Sequence, residues 1–122
     1  MKTLKAVCKI WLDNKGKAFG EGPCELLKRV EESCSLHQAA GEMGMSYSKA
    51  WKLIQTMEKR LGFGLLDKKI GGTSGGGSRV TPQGRDLLRR YERFETEARR
   101  AIERAYLRHF GVRTGKRGRS EG

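Results

Sequence analysis

The stretch SLHQAAGEMGMSYSKAWKLIQTMEKRLG, residues 35–62, decides the fold. Ser35 can accept a backbone N–H and open a helix, with Gln38 three residues on as the partner of a capping box. The short helix that follows carries Leu36, Ala39, Ala40 and Met43 on its inner stripe, and Gly44 suits the left-handed turn at its end. Ser46 caps a second helix running to about Leu61, with Ala50, Leu53, Ile54, Met57 and Leu61 on one face, and Gly62 stops it. Two helices joined by so few residues make a helix-turn-helix. The crossing needs small side chains, supplied by Ala39 and Ala40; the turn needs a residue at ease with positive φ, supplied by Gly44, and an apolar anchor, Met45. An ordinary helical hairpin with a solvated outer face would explain neither the alanine pair nor the hairpin that follows.

Working outward toward the N-terminus, Gly22-Pro23 begins a preceding helix, since proline fits the first helical position. Its buried face is Leu26, Leu27, Val30 and Cys34. Before it, a β-prone run over residues 4–12, the turn Asp13-Asn14-Lys15-Gly16 and a return over Lys17–Gly20 read as a small hairpin. Toward the C-terminus, residues 65–81 read as a second hairpin, a wing, with the glycine-rich tip Gly71–Gly77. Thr81 and Pro82 open a long helix to roughly His109. Leu87, Tyr91, Phe94, Ala98, Ala101 and Ala105 recur on it in steps of 4, 3, 4, 3 and 4, a heptad seam suited to pairing with a second copy. From Gly111 onward the chain is mostly glycine, lysine and arginine with almost no apolar content, the composition of a disordered basic tail.

The expected fold is therefore mainly α with small β: a winged helix-turn-helix with an N-terminal β-hairpin and a long C-terminal dimerisation helix. Residues 1–81 form the DNA-binding domain, with the helix-turn-helix over 35–61 and the wing over 65–81. Residues 82–110 form the linker and dimerisation helix, and 111–122 the tail.

A length of 122 residues leaves room for one domain. The formal charge of +12, from 26 Lys and Arg against 14 Asp and Glu, draws such a domain to polyanions, nucleic acid first among them. No apolar run approaches the roughly eighteen residues of a membrane span. Lys9 interrupts Ala6–Leu12, which is no signal-peptide core, so a cytoplasmic protein is expected. Cys8, Cys24 and Cys34 are odd in number and form no C-x-x-C pair, and His37 and His109 lie in no ligand spacing. Reduced thiols acting as small core residues are expected, with no metal and no cofactor. Nor do paired carboxylates or a nucleophile with its base appear, so no catalytic residues are assigned and an enzyme is not expected. The glycine run lacks the Gly-Lys-Ser/Thr of a Walker loop and the βαβ setting of a dinucleotide loop.

The outer face of the second helix, Tyr47, Ser48, Lys49, Lys52, Gln55 and Thr56, combines hydrogen-bonding groups for base edges with two cations. Double-stranded DNA is the expected partner. Lys49, Lys52, Lys68, Lys69 and Arg79 neutralise phosphates, with Arg79 suited to a narrow minor groove, while Tyr47, Ser48 and Gln55 supply polar contacts. Trp51 is read as mainly structural. Two other readings share the charge pattern: a non-specific nucleoid-type DNA-binding protein, and a basic module that docks an acidic protein.

The run Gly44–Trp51, the glycine-rich stretch Gly71–Gly77 and Val80-Thr81-Pro82-Gln83-Gly84 together resemble the DNA-binding domain of the molybdate-responsive ModE regulators, within the wider LysR-type winged helix-turn-helix. The resemblance spans about residues 4–106. It implies a prokaryotic, homodimeric transcription regulator whose recognition helix enters the major groove, with Ser46, Tyr47, Lys49 and Lys52 facing DNA and Arg79 on the wing. Regulators of that kind also carry oxyanion-binding domains. Here a basic tail follows the long helix, so a molybdate site is not expected within this chain.

Overall fold

The computed structural model of the protein describes residues 4–68 and 77–111, Lys68 in its backbone alone. Lys69, most of the glycine-rich tip and the tail beyond Gly111 lie outside the described residues. In chain order the elements are β1 (Trp11–Asp13), β2 (Lys17–Gly20), α1 (Glu21–Ser33), α2 (Leu36–Glu42), α3 (Tyr47–Leu61), β3 (Leu66–Lys68), β4 (Ser78–Val80) and α4 (Pro82–Phe110). This is a winged helix-turn-helix with an N-terminal hairpin and a long C-terminal helix.

By contacts the chain divides into two compact units, one over Lys9–Arg93 and one combining the N-terminal residues with the chain from Phe94 onward. The core of the first unit is apolar and continuous. Phe19 from β2, Leu26, Leu27 and Val30 from α1, Leu36, Ala39 and Ala40 from α2, and Ala50, Ile54 and Met57 from α3 are all buried. Leu65, Val80, Leu88 and Tyr91 complete it. Each of the larger side chains contributes roughly 1.5–3 kcal/mol by leaving water.

β1 and β2 pair antiparallel with Leu12 opposite Phe19 and a bulge before Asp13. The strand is shorter than the β-prone run of the sequence, since residues 4–10 take no strand. The hairpin is tied to the end of α3: Asn14 Nδ2 donates to the Arg60 carbonyl at 2.8 Å, and Arg60 Nη1 donates to the Lys17 carbonyl at 2.9 Å.

Several expectations need correction. Pro23 occupies the third position of α1, because the helix begins at Glu21 directly after β2. Cys34 does not extend the buried face. It is exposed and takes the left-handed conformation at φ 57°, ending α1 one residue earlier than the periodicity runs. That turn aims the Cys34 carbonyl at Ser78 N, 3.0 Å away, so a residue read as core instead anchors the wing. Of the three thiols only Cys24 is buried, and Cys8 is half-buried. The capping box at Ser35 is one-sided: Ser35 Oγ accepts from Gln38 N, but the Gln38 side chain donates to Glu42.

Tyr91 also leaves its expected place in a pairing seam. It is buried in the chain's own core, edge-on to Phe19 with ring centroids 5.3 Å apart, and its hydroxyl donates to the Ile10 carbonyl at 2.6 Å. Leu88 is buried beside it, so the first part of α4 belongs to the core of the winged unit.

The second unit pairs the N-terminal residues with the far part of α4. Tyr106 hydroxyl donates to the Leu4 carbonyl at 2.6 Å, and Arg99 Nη1 reaches the Cys8 carbonyl at 3.3 Å. Phe94, Leu107 and Phe110 stay exposed.

The junction of wing and α4 explains the Val-Thr-Pro-Gln-Gly run. Thr81 Oγ1 donates to the Gly64 carbonyl at 2.6 Å and accepts from Gly84 N at 2.9 Å, while Thr81 N donates to the Leu65 carbonyl at 2.9 Å. A Cβ at position 84 would sit 2.9 Å from the Leu65 carbonyl oxygen and 3.1 Å from Thr81 Oγ1. Gly84→Ala should therefore destabilise the fold by about 1–3 kcal/mol through overpacking. That exceeds the roughly 0.8–1 kcal/mol that alanine contributes to a helix, because the carbonyl it meets is already fixed by Thr81. Urea unfolding checks it: the midpoint should fall without a change in slope.

Candidate nucleic-acid interface

What makes α3 available to a ligand is the sharp division of its two sides. Ala50, Ile54 and Met57 are buried, with Leu53, Leu61 and Trp51 partly buried against the core. Ser46, Tyr47, Ser48, Lys49, Lys52, Gln55 and Thr56 are all exposed. Ser46 Oγ accepts from Lys49 N at 3.1 Å, and the first turn holds no acidic residue. Beyond the Ser46 cap, no acidic side chain of its first turn offsets the positive end of the helix dipole, which favours an approaching phosphate.

The turn that presents α3 is closed by backbone bonds, Gly44 N to Gly41 O at 3.1 Å and Met45 N to Ala40 O at 3.0 Å. Gly44 has φ +72°, and a Cβ there would meet nothing within 4 Å. Its requirement is conformational rather than steric. Met45 packs, partly buried, against the core as the turn's anchor.

The wing strands pair antiparallel with Leu66 opposite Val80 and Asp67 opposite Arg79. Arg79 is exposed, between the buried Ser78 and Val80. Asp67, which sequence reading did not single out, is its direct cross-strand neighbour and tempers the wing's positive charge. The Lys68 side chain and Lys69 lie outside the described residues.

Three further residues shape this face without having been marked in the sequence. Glu58, on α3, accepts Leu65 N at 2.7 Å and Leu66 N at 3.2 Å through the same oxygen, pinning the start of the wing to α3. Arg60 fixes the N-terminal hairpin as described. His37, on α2, stacks on Tyr47 with centroids 5.5 Å apart and planes 26° apart. An open depression of about 600 Å³, lined by Lys52, Gln55, Thr56, Lys59, Phe63 and Gly64 among others, runs from the outer face of α3 to the start of the wing.

The orientation of α2 is held by a polar cluster. Glu42 accepts from Gln38 Nε2 at 3.1 Å and from Arg29 Nη1 of α1 at 3.0 Å. The Gln38 amide, then the Arg29 guanidinium, hold the Glu42 carboxyl below its ordinary range, and Glu42 in turn raises Arg29. On the other side of α1, the Glu92 carboxylate of α4 lies 2.8 Å from Lys28 Nζ and raises that amine.

Among the described residues no group of His, Cys, Asp and Glu is placed to hold a metal ion, and no helix is long and apolar enough to cross a membrane.

Residues 24–85 match the family described as bacterial regulatory helix-turn-helix protein, lysR family. The chain is 33% identical over 89 residues to the molybdenum transport protein ModE of Azotobacter vinelandii, covering 73% of this chain and 33% of that protein. It is 33% identical over 84 residues to the molybdenum-pterin-binding protein MopB of Rhodobacter capsulatus, covering 69% and 31%. To the DNA-binding transcriptional dual regulator ModE of Escherichia coli K12 it is 36% identical over 67 residues, 55% and 26%. The chain thus spans about a third of the length of these relatives or less.

Because Glu42 is lowered in the folded state, its tie between α1 and α2 is fully present above the ordinary carboxylate value of about 4.3 and is lost only as pH falls through the lower folded value. An NMR titration of the Glu42 carboxyl should give a midpoint below that of a free glutamate. Gln38→Ala and Arg29→Ala should each move it upward. A midpoint at the free value in the native chain would remove the tie.

Proposed function

We propose, since the chain belongs to the lysR family of bacterial regulatory helix-turn-helix proteins, that it is a sequence-specific DNA-binding transcription regulator acting as a homodimer. One observation carries this reading: the exposed side of α3 is polar and cationic from its capped N-terminus through Thr56, while its other side is locked into the core. Such a helix, with a wing beside it, fits the major groove. Ser46, Tyr47, Ser48 and Gln55 supply polar contacts to bases and sugars, and Lys49, Lys52, Lys68, Lys69 and Arg79 supply charge to phosphates. Residues 1–81 hold the DNA-reading elements, and 82–110 link and pair them.

The homodimer is supported by apolar side chains on α4 that the described residues leave exposed. Phe94 remains 49% exposed and Ala101 is exposed too. With Tyr91 in the core, the pairing stripe is Leu87, Phe94, Ala98, Ala101 and Ala105. Two recognition helices related by a two-fold axis would read half-sites about 10 bp apart or a multiple of that.

Selection from a randomised duplex pool should enrich one two-fold-related motif, and sedimentation should give twice the 13.7 kDa chain mass. Equal affinity for selected and random duplex would remove the sequence-specific reading in favour of a nucleoid-type binder. With about 6–10 phosphate contacts per dimer, raising salt from 50 to 200 mM should weaken binding roughly 10³- to 10⁵-fold. Replacing Lys49 and Lys52 together by alanine should weaken binding to the selected duplex and flatten the salt dependence. Unchanged affinity would defeat the assignment of α3.

A further inference from the structure

Tyr47 is the first residue of α3. Helical side chains lean toward the N-terminus and rest on the turn before their own Cα. At the first position no such turn exists, so the helix itself does not fix the direction of the phenol. A ring from another element occupies that place. His37, on α2, is exposed and lies off the Leu36, Ala39 and Ala40 stripe. Its stack on Tyr47, at 5.5 Å and 26°, is in the range of favourable aromatic pairing. Tyr47 is left 38% exposed. The platform under it does not swing freely, because Leu36, Ala39 and Ala40 bury the other side of α2 and Glu42 ties it to Arg29 of α1 at 3.0 Å.

We infer that His37 is a positioning residue for DNA recognition: its imidazole holds the Tyr47 ring in the orientation in which the phenol meets the duplex. This rests on the DNA-reading role proposed for α3 and adds a determinant from outside that helix. A side chain already oriented loses less freedom on binding, so the stack acts on affinity for the right sequence. It adds little to non-specific attraction, which charge dominates.

The test uses the full chain, with the duplex enriched by selection and a random duplex as probes. His37→Ala should bind the selected duplex about threefold to tenfold more weakly, with unchanged affinity for random duplex and an unchanged salt slope. His37→Phe, which keeps a ring in place, should retain binding. In a Tyr47→Ala background, His37→Ala should cost nothing further, because the two act as one unit.

The inference is overturned if His37→Ala binds like the native chain, or if its loss persists in the Tyr47→Ala background. In the latter case a salt slope lowered by about 1 would mark His37 as a direct phosphate contact instead. An equal loss on both probes, with a lowered melting temperature, would overturn it in favour of a purely structural role. A native chain with no preference for any duplex would overturn sequence-specific recognition and the inference together. Preference retained with an indifferent His37 would sink only the inference.

Discussion

The whole arrangement depends on burial of one stripe of α3 against two alanines. Ala39 and Ala40 are fully buried, as are Ala50 and Ile54 on α3, and Met57 nearly so. The two alanines bring only methyl groups to the buried side of α2, and larger side chains there would force the packed helices apart. Once that face is locked, Ser48, Lys49, Lys52, Gln55 and Thr56 on the opposite side of α3 stay exposed. Exposure of the polar face is thus the other half of the same packing event.

The wing is held by polar anchors added to the burial of Leu65, Leu66 and Val80 in the core. Its strands are three residues each, too short to be stable as a free hairpin. Glu58 receives the two N–H groups at its start, the Cys34 carbonyl receives the first N–H of its return strand, and Thr81 ties its end to Gly64 and Leu65. These anchors come from α3, from the end of α1 and from the start of α4. The left-handed Cys34, a conformation costing about 1–2 kcal/mol for a residue other than glycine, is tolerated where it aims a carbonyl at that strand. An ordered base holds Arg79 exposed on the return strand, and Asp67 opposite it keeps the wing from being uniformly positive.

Charge and shape divide the labour of recognition. The net charge of +12 supplies attraction to any polyanion and distinguishes no sequence. On the proposed reading, discrimination requires side chains at fixed positions, and the start of α3 is fixed in layers. Ser46 caps the helix, Gly44 sets the turn, Glu42 steadies α2, and His37 lies against the first ring of α3. The first two act within one helix or its flanking turn, and the Glu42–Arg29 pair and the His37–Tyr47 stack each join two elements.

The sequence by itself determined the helix-turn-helix, the hairpins and the long last helix. Caps, glycine stops and the spacing of apolar residues act over one or two turns, so Ser35, Gly44, Ser46 and the Ala50–Ile54–Met57 stripe are legible locally. The exposed face of α3 follows from the same periodicity. Tertiary structure alone decided which partner each side chain meets. Tyr91 fits a heptad as well as a core, and only the position of Phe19 and of the Ile10 carbonyl chose between them. Cys34 continues the period of α1, yet a hydrogen bond to Ser78, distant in sequence, turns it outward. Glu58 and His37 are ordinary polar residues until the wing and α3 are brought against them, because a pairing across elements leaves no periodic trace in the chain.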